Sequence, residues 1–331
     1  MSNREWTRQT LLETSGLYWR TCALHAAVKL DLFTRLGDGT ATATELAGKS
    51  GCSERGLTML LNALVATGLL ARDDGAYRNT AAAIAYLSKD SEHYLGYIIQ
   101  HHAHLMQSWA QLDEAVLTGK PIRTRASWAD ETVREAFLMG MYNIAMAIAP
   151  QVAAQLDLSG CEALIDLGGG PGTYAIHFCL ANPGLRATVY DLPTTRPFAE
   201  KTIARHGVGD RVRFEAGDFV EKPIEGLYDA AWLSQILHAE GPEECQRIVD
   251  KAASVLRPGG RLLVHEFLLD DTMDGPEQPA LFSLNMLVGT PCGQSYSTGQ
   301  VKAMLERAGL RDVRRLDFQG PNVSGIVCGT K

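Results

Sequence analysis

Several features that would assign a role at once are missing from this 331-residue chain. Its seven cysteines, Cys22, Cys52, Cys161, Cys179, Cys245, Cys292 and Cys328, are odd in number and form no C-x-x-C pair. That spacing excludes a regular disulfide framework and a cysteine zinc site, and predicts reduced, mostly buried thiols. No apolar run approaches the roughly 20 residues that span a bilayer, and the opening "MSNREWTRQT" lacks the apolar core of a secretion signal, so a cytoplasmic protein with no membrane partner is expected. Positive charge is not in excess: 31 Lys and Arg against 38 Asp and Glu leave −7, which disfavours nonspecific attraction to nucleic acid. Internal repeats and low-complexity tracts are absent too. What the chain does have is a 46% apolar content, enough at this length for two or three domains with their own cores.

Three regions follow from the pattern: residues 1–90, 91–158 and 159–331. In the first, "YWRTCALHAAVKLDLFTRL" is apolar at helical spacing, and Thr42 with Glu45 forms a capping box. A further helix should start at the cap Ser53 and stop at Gly68, and "GLLARDDGAYRNT" gives two strands around an Asp74-Gly75 turn. Helices followed by a small hairpin make a winged-helix pattern. Residues 1–100 hold ten basic and ten acidic side chains, so dimerisation is favoured over DNA reading, which wants a basic face.

The second region carries two long helical patterns, "HYLGYIIQHHAHLMQSWAQLDEAVLTGKP" and "REAFLMGMYNIAMAIAPQVAAQLDL". Rich in Met, His and aromatics, they suit the wall of a pocket. His101, His102 and His104 lack the i, i+4 spacing that brings two imidazoles onto one helical face, so no metal is expected. From Cys161 onward, short apolar strands ("EALIDLGGG", "RATVYDLP", "RVRFEAGDF", "YDAAWLSQIL", "GRLLVHEFLL") alternate with helices, the pattern of an α/β, doubly wound parallel sheet. "LRDVRRLDFQ" and "NVSGIVCGTK" are expected to add two strands at one edge.

The strongest motif is "LIDLGGGPGTY". A strand runs into Gly168, Gly169, Gly170, Pro171 and Gly172, where glycines let a ligand approach the backbone. Thr173 stands where a dinucleotide fingerprint wants its third glycine, so a ligand without pyrophosphate fits better. Asp191 ends the next strand, suited to ribose hydroxyls. Asp218 and Phe219 follow the third strand, a carboxylate for an adenine amine and a ring for its face.

These motifs, in this order, resemble class I S-adenosylmethionine-dependent methyltransferases, and in particular the small-molecule O-methyltransferases related to the acetylserotonin and plant caffeate enzymes. "DLGGGPG", "YDLP", "AGDF", "LRPGGRLLVHEFLLDD" and "LFSLNMLV" carry the resemblance over nearly the whole chain. It implies a Rossmann-like catalytic domain behind a winged-helix dimerisation domain, a homodimer, and S-adenosyl-L-methionine as cofactor. By resemblance, Asp166, Gly168 and Gly170 hold the methionine portion, Asp191 the ribose, and Asp218 with Phe219 the adenine. Ser234 stands where some relatives carry a basic cofactor contact.

His238 directly follows the strand "YDAAWLSQIL", on the side of an open sheet where ligands bind. It matches the family's general base, and Glu266 the carboxylate that orients it, whereas His265, by strand alternation, faces away. A second carboxylate of the family is replaced by Ser295. A phenol with a pKa near 10 is a poor nucleophile at neutral pH, and imidazole, titrating near 6.5, can take its proton. The expected reaction is methylation of the hydroxyl of a small, aromatic acceptor. Pocket candidates are His104, Trp109, Met139, Met141, Tyr142, Met146, Asn285 and Met286, for which ordinary packing is the competing reading. The competing functions are S- or C-methylation of a small molecule and a ligand-responsive winged-helix regulator.

Overall fold

In a computed structural model, residues 5–125, 130–318, 320 and 323–331 are described. The chain forms two compact units, one of residues 1–106 with 135–143 and the other of residues 107–134 with 144–331.

The first unit begins with α1 (Arg8–Gly16), α2 (Tyr18–Lys29), α3 (Leu32–Leu36), α4 (Ala43–Ser50) and α5 (Glu54–Ala66). The hairpin β1 (Leu70–Asp73) and β2 (Ala76–Asn79) follows, then α6 (Ala81–Leu87). The Thr42–Glu45 box closes in both directions: the Glu45 amide donates to Thr42 Oγ1 at 3.3 Å, and the Thr42 amide to Glu45 Oε2 at 2.8 Å. Ser53 caps α5 by accepting from the Gly56 amide. Asp74 and Gly75 take left-handed φ values of 45° and 82°, the pair a two-residue hairpin turn requires. Leu32, Phe33, Leu46, Leu61, Leu64 and Tyr77 fill the core.

Much of "ALHAAVKLDLF" is buried by its own chain: Ala27, Val28, Leu32 and Phe33 are at most 3% exposed. A run of apolar side chains open to solvent lies upstream, at Trp6, Leu11, Leu12, Leu17, Tyr18 and Trp19, all more than half exposed, while Leu30 and Met59 are exposed further along. Of the seven thiols only Cys179, Cys245 and Cys328 are buried, and Cys22 and Cys292 are exposed, which corrects the expectation of mostly buried cysteines.

Each long helical pattern of residues 91–158 is broken in two. The first gives α7 (Gly96–Trp109) and α8 (Leu112–Thr118), the second α9 (Glu131–Met146) and α10 (Ala149–Gln155). Pro150 explains the second break, since it lacks the amide an uninterrupted helix would need and is tolerated in the first turn of a new one. No single described helix is long and apolar enough to cross a membrane.

The second unit is built on a seven-stranded sheet. Its strands are β3 (Ala163–Leu167), β4 (Arg186–Asp191), β5 (Val212–Ala216), β6 (Tyr228–Ser234), β7 (Leu256–Phe267), β8 (Arg311–Arg315) and β9 (Ser324–Thr330), in the order β5-β4-β3-β6-β7-β9-β8. The first five are parallel, and β9 enters antiparallel between β7 and β8. The closing stretches thus supply the two expected edge strands, with Gln319 and Asn322 outside the described residues.

Alternation divides the sheet's side chains between two faces. Leu164, Ala187, Val189, Ala230 and Trp232 pack with α10, α11 (Thr173–Ala181) and α12 (Arg196–Arg205). Ile165, Leu167, Ala231, Leu233 and Val264 pack with α13 (Pro242–Ser254) and α15 (Thr298–Arg307). Helices on both faces make the sheet doubly wound, and the order reverses between β4-β3 and β6, where such folds bind ligands.

One buried polar group ties the N-terminal hairpin to its helices. Asn79, 5% exposed, donates from Nδ2 to the carbonyls of Phe33 (2.8 Å) and Gly37 (2.9 Å), closing the end of α3. Asn79→Ala leaves two carbonyls without a donor and should cost about 1–3 kcal/mol, read as a lower urea midpoint. An unchanged midpoint would show that water replaces the amide without loss.

Candidate active site

The glycine loop joins β3 to α11 at the switch point. Gly168, Gly170 and Gly172 have φ of 68°, 54° and 79°, in the left-handed region. Space is short as well as conformation unusual: a Cβ on Gly168 would lie 2.3 Å from Ile236 Cδ1, and one on Gly169 2.6 Å from the Asp166 carboxyl. The need for Gly169, not singled out in the sequence, comes from a carboxylate folded directly beneath the loop.

Asp166 is 1% exposed, and neither carboxyl oxygen has a hydrogen-bond partner among the described residues. Desolvation pushes its pKa up to about 7; the Ala175 amide opposes this without reaching hydrogen-bond geometry, and Asp191 adds to it. An unpartnered buried carboxylate is ready for a cationic or N–H donor from a ligand. Asp191 is engaged differently. Its Oδ1 accepts from the Leu192 amide (2.6 Å) and Thr195 Oγ1 (3.0 Å), and its Oδ2 from the Gly170 amide (2.8 Å). Burial still raises its pKa. Asp191 therefore holds the glycine loop in shape, with acceptor capacity left mainly on Oδ2.

Phe219 lies beside the loop, its Cε1 3.3 Å from the position of a Gly168 Cβ. Asp218 Oδ1 accepts from the Val220 amide at 2.9 Å, closing its own turn. Gly217 is also forced, since a Cβ there would fall 1.9 Å from the Tyr190 hydroxyl. Ser234 Oγ pairs with His265 Nδ1 at 2.8 Å, and His265 Nε2 with Ser324 Oγ at 2.8 Å. His265 is wholly buried, stacked on Trp232, and its pKa is pushed down to about 4 by desolvation, so it is a neutral packing residue turned away from Glu266.

Beyond β6 the chain makes a short 3₁₀ turn, Leu237–Ala239, that carries His238. Glu266, 2% exposed, accepts with Oε1 from the amides of Ile236 and Leu237, both at 2.8 Å. Its Oε2 is then left to His238 Nδ1, also at 2.8 Å. The imidazole packs at right angles to the ring of Phe282 of α14 (Glu277–Gly289), with ring centroids 4.8 Å apart. Nothing among the described residues hydrogen-bonds Nε2.

Several supports of this turn carry no sequence signature of their own. Cys245 Sγ approaches the Leu237 carbonyl at 3.0 Å, the Tyr296 hydroxyl donates to the Glu240 carbonyl at 2.7 Å, and Arg125 reaches both the Ala239 carbonyl and the Glu240 carboxylate at 2.6 Å. Ser295 spends its hydroxyl on the Pro279 carbonyl.

The pocket candidates separate. His104, Met139, Met141 and Tyr142 belong to the first unit, where Met139 and Tyr142 are buried. Trp109, Met146, Asn285 and Met286 belong to the second. There Trp109 Nε1 donates to Asn285 Oδ1 at 3.1 Å, Met286 is buried, and Met146 Sδ lies 3.4 Å from His177 Nε2. Among the described residues no group of three potential ligands could hold a metal ion.

Sheet order, glycine loop and strand-end carboxylates together define a Rossmann-like methyltransferase. The sequence model of the O-methyltransferase domain matches residues 109–311, and that of the O-methyltransferase dimerisation domain residues 12–89. A 3-hydroxy-5-methyl-1-naphthoate 3-O-methyltransferase of Streptomyces sahachiroi is 37% identical over 95% of this chain and 92% of its own. The tetracenomycin polyketide synthesis 8-O-methyl transferase TcmO of Streptomyces glaucescens is 33% identical, over 96% and 95%. The crystal structure of human N-acetylserotonin methyltransferase with S-adenosylmethionine superposes with a TM-score of 0.86 at 26% identity, over 100% and 99%. The chain belongs to the O-methyltransferase family and is an S-adenosylmethionine-dependent methyltransferase. The orphaned Asp166 carboxylate and the open glycine loop fit that cofactor.

The raised Asp166 carboxyl has a thermodynamic consequence. Between about pH 4, where an unfolded aspartate ionises, and about 7, the folded protein keeps a proton that the unfolded chain has released. The unfolded state binds fewer protons there, so stability falls as pH rises through this window. Asp166→Asn removes the effect. In ligand-free protein the melting temperature of this variant relative to wild type should climb from pH 5 to pH 7.5; a constant difference would contradict an elevated pKa.

Proposed function

We propose that the methyl group is transferred to a hydroxyl of a small aromatic acceptor, with His238 taking the proton. The carrying observation is the His238–Glu266 pair at 2.8 Å, placed at the carboxyl end of β6 with imidazole Nε2 uncommitted. Glu266 carries no proton to share if it accepts two amides and the ring, so Nδ1 carries the hydrogen and Nε2 the lone pair. The tautomer is thereby inferred from the network. S-adenosylmethionine supplies an electrophilic methyl group on a cationic sulfur. Asp166, Gly168 and Gly170 are assigned to its methionine portion, Asp191 to the ribose, and Asp218 with Phe219 to the adenine; Ser234 is tied to His265. The aromatic acceptor is supported by what the relatives named above act on.

The same reading makes the enzyme a homodimer, with a winged-helix type of N-terminal domain. Its support is the dimerisation-domain match and the six exposed apolar side chains between Trp6 and Trp19, more than an isolated surface would carry without a covering partner.

Asp191→Ala should weaken binding of S-adenosylhomocysteine by at least about 1–3 kcal/mol, because it removes the ribose acceptor and also frees the Gly170 amide. Calorimetry on the folded variant checks this, and unchanged affinity would remove the nucleoside assignment. His238→Ala should keep cofactor affinity and lower kcat by roughly 10²–10⁴, the range of general-base catalysis, with Glu266→Gln falling less far in the same direction. S-adenosylhomocysteine formation with a hydroxyaryl acceptor is the readout. A His238→Ala enzyme within about threefold of the parent would be expected of thioether methylation, which releases no proton, and would sink the base assignment.

A further inference from the structure

Two arginines stand two residues apart in the segment before α9, and only one has a counter-charge. Arg125 forms an ion pair with Glu240 at 2.6 Å. Arg123 forms none. All 38 Asp and Glu lie among the described residues, so no acid of this chain is left to supply the pair.

Arg123 is nevertheless drawn inward. The amides of Ile122 and Arg123 both donate to the Val288 carbonyl, which docks the segment on the end of α14. The guanidinium lies against Gly289, where a Cβ would be 2.5 Å from Nη2 and 2.7 Å from Cζ. Its Nε is fully buried without a partner. The only hydrogen bond of the group among the described residues is a long one, 3.4 Å from Nη2 to Asn285 Oδ1, and that oxygen is shared with Trp109 Nε1. Burial lowers the pKa of Arg123, which at an arginine still leaves the charge in place. A half-buried cation whose one hydrogen bond among the described residues is a share of a neutral amide oxygen is costly to fold, and an anion arriving from outside would offset that cost.

Its position relates it to the chemistry. Phe282 touches the His238 ring, and Asn285 and Gly289 follow three and seven residues along the same helix. At about 1.5 Å per residue the guanidinium sits roughly 5–10 Å along the axis from Phe282, the scale of two fused aromatic rings.

We propose that Arg123 binds a carboxylate carried by the acceptor, so that the substrates are hydroxyaryl carboxylic acids with the hydroxyl at His238 and the acid group at Arg123. The guanidinium fork matches a planar carboxylate in two parallel hydrogen bonds. Gly289 is the residue that leaves room for it. This inference rests on the reading of an aromatic hydroxyl acceptor and narrows it.

The test compares 4-hydroxy-1-naphthoic acid with its primary amide, two ligands of one shape that differ in charge. Calorimetry is run on the whole protein saturated with S-adenosylhomocysteine. The acid should bind at least about tenfold more tightly than the amide. Arg123→Gln should bring the two within about threefold by weakening the acid alone, and Arg123→Lys should restore part of the gap, since it returns the charge without the fork. Equal binding of acid and amide to wild type, failure of the acid to bind at all, or an acid preference surviving in Arg123→Gln would each overturn the proposal. Turnover separates it from the broader reading. An amide that is methylated as readily as the acid removes the carboxylate site and leaves hydroxyl methylation standing. An acid held through Arg123 yet never methylated does the reverse.

Discussion

The end of the sheet that carries His238 depends on one carboxylate. Glu266 is almost fully buried, and its oxygens take two backbone amides and one imidazole nitrogen. Each of those bonds is charge-assisted and stronger than its neutral equivalent. Without the carboxylate, the amides of Ile236 and Leu237 would lose their partners, and the turn carrying His238 would be held only by the braces from Cys245, Tyr296 and Arg125. The turn is also strained at its entry, because Gln235 takes a left-handed φ of 59° that costs a residue with a side chain about 1–3 kcal/mol. Glu266 offsets that strain with Oε1 and orients the histidine with Oε2, so one side chain sets both the loop and the ring.

The cofactor side is arranged by opposite means. Asp191 is satisfied by three donors of its own chain and so sets the glycine loop, whereas Asp166 beneath that loop has none. An ionised Asp166 is expensive in isolation, and the protein avoids the cost below neutral pH by keeping the proton. A cationic ligand reverses the balance. The loop is therefore held by one carboxylate and left hungry by the other, a division that two aspartates at successive strand ends would not reveal by their spacing.

A similar division runs through the arginines. Arg125 is spent on the His238 turn, bracing it from outside through the Ala239 carbonyl and Glu240, and Arg123 is left half-buried against α14. In each pair, one charged group maintains the structure and its neighbour is kept available. Such groups are costly for folding, and they stand at the ends of strands and along α14.

The chain's own letters determined the local structure and the order of the chemistry. The capping box at Thr42 and Glu45, the Asp74-Gly75 hairpin, the alternating strands and the glycine run ahead of Asp191 are readable because helix caps, turns and half-buried strands depend on residues a few positions apart. The strand end put His238 on the ligand side of the sheet and the family resemblance paired it with Glu266, while alternation along β7 turned His265 away. The breaks in both long helical patterns were not foreseen, because apolar spacing continues across a change of axis. Nor was the covering of "ALHAAVKLDLF" by its own chain, since periodicity does not say which apolar face meets which neighbour. Only the tertiary structure decided that Asp166 lies unpartnered under Gly169, that Cys245, Tyr296 and Arg125 brace one turn, and that Arg123 has no acid. The contacts of Tyr296 and Arg125 join groups tens to more than a hundred residues apart, and even the short-range ones depend on burial, so desolvation and the presence or absence of a partner, not residue type, fix what a side chain can do.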